Sequence, residues 1–278
     1  MTFPETVAKP RRLTRMLILY GVVLAIGIAG LEIKRPFGLF LFHLMGKQTG
    51  ASPHTTIEWL MTDPVTISVM VIACFFHPRS GLPLIPRLER LLFRDARTGP
   101  PPRVFKPGFL GGFVSVGVFV VSQCYQLITH TQMPLASKLS SGAIPRSALI
   151  KLALLFPLAF VGAAMSEEVA CRFGLMSILM GLMSFAAPRG RSPNNAVAFW
   201  IANIAQGLWF GYIHVAQGVV ASQGGSLPYE LATSPQTWGG IIFGVVYRKF
   251  GLEAAIIAHM TADILAPIVL GLWNHFLH

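Results

Sequence analysis

The feature that most limits this chain is a recurrence of apolar runs close to 20 residues long and almost free of charge. As a helix, such a run spans the ~30 Å hydrocarbon core of a bilayer while satisfying its own backbone. Composition agrees. Of 278 residues, 53% are hydrophobic and 12% are charged, where a soluble domain carries about a quarter. Mean hydropathy is +0.61. These values exclude a soluble globular enzyme, a disordered chain and a secreted disulfide scaffold. The expected fold class is all-α: a polytopic transmembrane helix bundle of about seven or eight membrane segments, some of them partial.

The net charge of +11 raises nucleic acid as a partner, but its placement argues against that. Lys9, Arg11, Arg12 and Arg15 precede the first apolar run. Arg79, Arg87, Arg90, Arg94, Arg97, Arg103 and Lys106 lie between two later runs. Clusters of this kind mark cytoplasmic loops facing anionic lipid, and no nucleic-acid-binding module accompanies them. The first run, Met16 to Leu31, ends in Glu32-Ile33-Lys34-Arg35-Pro36 and not in a small-residue cleavage site. It reads as an uncleaved first span with the N-terminus in the cytoplasm. Cys74, Cys124 and Cys171 form no CxxC pair, so neither a disulfide framework nor a zinc ribbon is indicated.

Two regions follow from this pattern. Residues 1–130 form an N-terminal membrane region without a placeable motif, carrying the basic, Pro-rich loop 78–106. Its segments are 14–31, a short apolar piece Phe37 to Met45, 57–77 and 108–129. After a polar loop from His130 to Arg146, residues 147–270 form the informative core. Its segments are a long interrupted stretch to Phe185, then 195–221, 237–248, Leu252–Ile264 and Ala266–Phe276. No internal repeat supports an inverted-repeat transporter.

A charge at the bilayer centre costs about 2.5–3.5 kcal/mol even on a lenient scale, so each one needs a partner and a reason. In the core these are Glu167, Glu168, Arg172, His214, His259 and Asp263. Lys151 and Glu253 lie nearer segment ends, where they can snorkel. Arg172 follows Glu168 by four residues, which puts the two on one helical face as a supporting ion pair. Glu167 then points about 100° away, unpaired within its helix, and suits a general base or acid. The competing reading is one buried ion-pair cluster that only fixes packing. Phe210 and His214 share a face of a segment that also holds Asn203 and Gln206. Phe210 and Asn203 are expected to line the same cavity; the alternative for Asn203 and Gln206 is to glue helices together, and a lone His can simply bond a backbone carbonyl. Asp263 follows His259 by four residues and can orient its ring, or merely cap a short helix. Three helices each carry polar groups on one face, and lipid forbids those faces from pointing outward. A shared wet cavity competent for hydrolysis is the simplest resolution.

Glu167-Glu168-Val-Ala-Cys-Arg172 reads EExxxR, Phe210-Gly-Tyr-Ile-His214 reads FxxxH, and His259-Met-Thr-Ala-Asp263 reads HxxxN/D. In this order the three motifs resemble the CPBP intramembrane proteases: the type II CAAX prenyl endopeptidases and their bacterial relatives, including bacteriocin-processing and immunity proteins. The stretch Trp238-Gly-Gly-Ile-Ile-Phe-Gly and the run from Gly251 to His259 are also similar to that family. The resemblance implies that Glu167 and His214 activate water, that His259 and Asp263 stabilise the oxyanion, and that Glu168 and Arg172 support them. Where the motif carries Asn, its amide donates to an oxyanion. An ionised Asp263 cannot, so the expectation here is that it orients His259 as the donor. No metal cofactor is expected, although Glu167, His214, His259 and Asp263 would be a legitimate zinc set; HExxH is absent. The implied substrate is a membrane-associated peptide or protein, either a prenylated CAAX peptide or, since Arg outnumbers Lys as in GC-rich bacteria, an exported precursor in a bacterial inner membrane. Two other classes stay open at this point: a proton-coupled transporter whose Glu and His form a relay, and a catalytically silent immunity or scaffold protein.

Overall fold

The computed structural model describes residues 8–49, 63–93, 102–128, 146–186, 196–215 and 227–277, and the regular structure in them is helical. Helix α1 spans Ala8–Thr49, α2 Asp63–Ser80, α3 Pro86–Phe93 and α4 Phe105–Ile128. Helix α5 is one long rod in which Arg146–Glu168 and Ser177–Ala186 are α-helical and Val169–Met176 between them is a π-helix. Then come α6 (Ala196–Val215), α7 (Leu227–Thr233), α8 (Pro235–Phe250) and α9 (Leu252–Leu277).

Five of these helices are long and apolar enough to cross a bilayer, by the stretches Leu13–Pro36, Phe105–Ser122, Leu154–Phe185, Ala196–His214 and Leu252–Val269. The shorter α2 and α8 pack in the same bundle. Large apolar side chains such as Leu17, Phe75, Phe113, Val121, Leu154 and Val197 stand exposed, whereas Glu168, Arg172, Asn203 and Gln206 are fully buried. Lipid solvates the apolar flanks and forces polar groups inward, so this distribution is that of an integral membrane protein.

Two sequence expectations change. The apolar piece Phe37 to Met45 is not a separate interfacial segment but a continuation of α1 through Pro36. The last two pieces are one helix, α9, with Pro267 inside it. Proline breaks a water-exposed helix, but within a packed membrane bundle neighbouring groups compensate for the lost bond. The basic loop 78–106 also contains α3. Residues 57–62 and most of the polar loop after His130 lie outside the described residues.

Basic side chains gather helix ends at one face of the bundle. Arg15 on α1 pairs with Glu89 on α3 at 3.1 Å, and Arg87 lies over Phe105 at the start of α4. Glu253 at the start of α9 accepts the first free N–H groups of α3, from Arg87 at 2.9 Å and Leu88 at 2.6 Å, which is what a helix N-terminus requires. The turn between α8 and α9 needs Gly251 at φ 88, a conformation that penalises side chains, and Leu252 N–H then bonds Leu84 O at 2.8 Å.

Helix α5 runs through the middle of the bundle, touching α1, α2, α6 and α9. At its crossing with α1 the backbones meet. A Cβ on Gly30 would lie 2.6 Å from Ser166 N, and one on Gly162 would lie 2.6 Å from Lys34 N. Small residues at such crossings let membrane helices pack by direct contact. The main core, with Val23, Met70, Phe173, Met176, Phe199 and Tyr247, fills the space around α5. A second cluster joins α4, α8 and α9 through Val116, Phe243, Ala254 and Ala258.

Candidate active site

Glu167 and Glu168 end the α-helical first stretch of α5, and Arg172 sits within the π-helical stretch that follows. A π-helical stretch inside an α-helix often accompanies a functional site, and nothing in the residue types of Val169–Met176 announces it. Glu168 and Arg172 are 0% exposed and pair at 3.0 Å between Oε2 and Nε. Arg172 Nη2 donates to Gly240 O at 3.2 Å, and the guanidinium lies over Phe210 and Phe243 at 4.8 and 5.4 Å. One buried cation thus joins α5 to α6 and α8.

The other oxygen of Glu168 does something the helix spacing did not reveal. Oε1 accepts from His259 Nδ1 at 2.8 Å. A carboxylate oxygen only accepts, so this contact assigns the Nδ1 proton and turns His259 Nε2 inward. There Nε2 faces Asp263 Oδ2 at 3.4 Å and Glu167 Oε2 at 4.0 Å. The closest orienting group of His259 is therefore Glu168, and Asp263 sits on the opposite edge of the ring. Phe243 stacks on the ring at 4.9 Å and Phe210 meets it edge-on at 5.5 Å.

His214 is set the same way by a different group. Its Nδ1 donates to Phe210 O at 2.7 Å, one turn back on α6. A carbonyl cannot donate, so in the neutral ring Nε2 is left as an acceptor. That atom lies 3.8 Å from Glu167 Oε2. Both imidazoles thus aim Nε2 at the same carboxylate oxygen, which is buried and has no hydrogen-bond partner among the described residues. The second oxygen of Glu167, Oε1, is 3.4 Å from Lys34 Nζ on α1.

Four residues named from sequence, Glu167, His214, His259 and Asp263, are thus brought together, and Glu168 with Arg172 lies directly behind them. Phe210 borders the cavity that also exposes His214, His259 and Asp263, a space of about 150 Å³. A smaller cavity of about 50 Å³ reaches Glu167 from the side of Lys34, Ser166 and Trp209. Asn203, expected to line the cavity, is instead fully buried between α6 and α8. Its amide donates to Ile241 O at 3.1 Å and its oxygen accepts from Gln206 at 2.9 Å. Among the described residues, no group of three or more His, Cys, Asp or Glu side chains is placed to hold a metal ion.

Sequence reasoning missed Lys34 and Phe243. Lys34 stood in a run that read as the end of the first span. Its signal was a cation four residues after Gly30, on the face that also carries Gly27, while the adjacent Arg35 has Glu32 three residues back as a partner. Phe243 lay in a stretch noted only for resemblance. His77 near the end of α2 is buried, with Nδ1 3.3 Å from Tyr20 Oη.

Comparison with known proteins gives one result. Residues 149–265 match the family model described as type II CAAX prenyl endopeptidase Rce1-like. No curated protein and no solved structure matches the chain.

Proposed function

Because residues 149–265 carry a domain of the type II CAAX prenyl endopeptidase Rce1-like family, we propose that this chain is an intramembrane endopeptidase in which Glu167 and His214 activate a water molecule. The observation that carries the reading is Glu167 Oε2: buried, without a protein hydrogen-bond partner among the described residues, and flanked by two imidazole Nε2 atoms at 3.8 and 4.0 Å. Those separations are too long for direct bonds, yet a water lying off the lines joining them can reach each partner at about 2.8 Å.

The chemistry follows from the hydrogen bonds. Glu167, assisted by the bare Nε2 of His214, takes a proton from the water as its oxygen bonds to the scissile carbonyl carbon. The carbonyl oxygen gathers negative charge. His259, held by Glu168 at Nδ1, donates toward it when Nε2 carries a proton. Collapse breaks the C–N bond, and the proton held on Glu167 passes to the departing nitrogen, leaving a carboxylate and an amine. Asp263 at the edge of His259 holds that ring as a donor, and the metal-free reaction needs nothing further. The cytoplasmic side is the basic end that collects Arg15, Arg87 and Arg248, by the positive-inside rule, and a bacterial inner membrane remains the proposed location. The substrate class is a membrane-associated peptide, of which a prenylated CAAX peptide is the first to try.

The test uses purified protein in lipid nanodiscs, an internally quenched peptide ending in a farnesylated CAAX sequence, and its unprenylated twin. In ¹⁸O-labelled water one label enters the new C-terminus, and Glu167→Gln lowers kcat by about 10²–10⁴. Cleavage of either peptide at an undiminished rate by Glu167→Gln refutes the assignment.

A further inference from the structure

We propose that Lys34 is a positioning residue of the hydrolytic site, its ammonium holding one oxygen of Glu167 so that the other faces the histidines. This rests on Glu167 being the base that activates water. A carboxylate has two equivalent oxygens and a broad terminal torsion, so without a partner on one side it has no fixed face toward a water. Here the symmetry is broken. Lys34 Nζ is 3.4 Å from Oε1, while Oε2 looks at His214 and His259.

The placement is built into the backbone. Gly30 and Gly162 let α1 and α5 touch: a side chain at Gly162 would collide with the main chain of Lys34 itself, and one at Gly30 with that of Ser166, next to Glu167. Lys34 therefore arrives at the site through the closest helix crossing near it. Its neighbours on α1 are engaged with each other, Arg35 pairing with Glu32 at 2.9 Å on the exposed side. Thr66 from α2 and Trp209 from α6 line the same small cavity as Lys34 and Glu167. The nearby charged or titratable groups are Glu167 itself, the buried Cys171 in the wall of the same cavity and, beyond Glu167, His214 and His259. An ammonium within a membrane helix needs a counter-charge, and the plain alternative is that Lys34 only neutralises Glu167 and steadies the crossing. The two roles differ in what they do to turnover.

The experiment compares wild type, Lys34→Met, Lys34→Cys and Glu167→Gln in nanodiscs with the quenched peptides above. If Lys34 positions the base, Lys34→Met lowers kcat about 10–100-fold, the loss expected of a misplacement near 1 Å. KM stays within about threefold, and the thermal unfolding midpoint moves by only a few degrees. Treating Lys34→Cys with 2-bromoethylamine rebuilds an ammonium at nearly the lysine length and restores most of kcat, whereas the same treatment leaves wild type unchanged. The proposal is overturned if Lys34→Met keeps kcat within threefold of wild type while Glu167→Gln is inactive, or if aminoethylation restores nothing. It is overturned equally if Lys34→Met and Lys34→Cys both lose their unfolding transition together with activity, since the ammonium then holds helices rather than the base. Retained activity in Glu167→Gln is a separate result: it removes the underlying reading.

Discussion

Replacing Arg172 by methionine should unfold this protein more readily than any single change at the rim of the cavity. The side chain is fully buried. The change removes the 3.0 Å pair with Glu168, the bond to Gly240 O and the cation face presented to Phe210 and Phe243. Methionine fills most of the volume, so the main cost is electrostatic. Glu168 is left as a buried carboxylate whose remaining partner here is His259 Nδ1. Orphaning one member of a buried pair costs about 3–5 kcal/mol. At roughly 2–4 °C per kcal/mol for chains near this size, the midpoint of thermal unfolding falls by ~6–20 °C. Intrinsic tryptophan fluorescence in detergent reads the transition, with Trp200, Trp209 and Trp238 as reporters. The double variant Glu168→Gln/Arg172→Met removes the orphaned charge while leaving an amide oxygen that still accepts from His259. It should recover at least half of the loss. A single variant within about 2 °C of wild type, or a double variant no better than the single, would refute this account of the buried pair.

Three other outcomes are expected. Gly162→Val pushes a side chain into Lys34 N and Gly30 O, so it should cost about 1–3 kcal/mol of overpacking and lower proteolysis with it, read by the thermal transition and the peptide assay on one preparation. Asp263→Asn keeps the shape and supplies an amide donor 3.4 Å from His259 Nε2 in place of the carboxylate; kcat should stay within about tenfold of wild type, whereas Asp263→Leu should lose ~10²-fold or more, as removal of an oxyanion-side group does. Prolonged dialysis against 1,10-phenanthroline should leave turnover unchanged, and loss of activity restored by added zinc would show that a metal takes part.

The bundle was readable because lipid imposes one strong rule, that long apolar runs become helices. The sorting of Glu167, Glu168 and Arg172 was readable because α-helical spacing alone puts Glu168 with Arg172. Helix ends were less readable. Pro36 and Pro267 look like terminators in a rule made for water, yet both lie inside helices, α1 and α9. The contacts that finish the site are long-range and leave no local trace. Glu168 meets His259 across 91 residues, and Lys34 meets Glu167 across 133. Spacing of four made Asp263 the obvious partner of His259, but the shorter bond comes from a different helix. Asn203 illustrates the converse. A polar residue two turns before Phe210 can be cavity wall or helix glue, and α8 decides it by approaching closely enough at Gly240 and Gly244 to take its amide and that of Gln206.

The most direct test of the account is a double-mutant cycle on turnover, with Glu167→Gln, His214→Ala and both together, measured on the better of the two quenched peptides in nanodiscs. Groups that work on one water act as a unit, so each single change should remove about 10²–10⁴ in kcat and the pair should remove scarcely more than the worse single. Losses that multiply, or a variant lacking both side chains that still cuts, would mean that peptide-bond hydrolysis does not run through the water these two side chains are held to share.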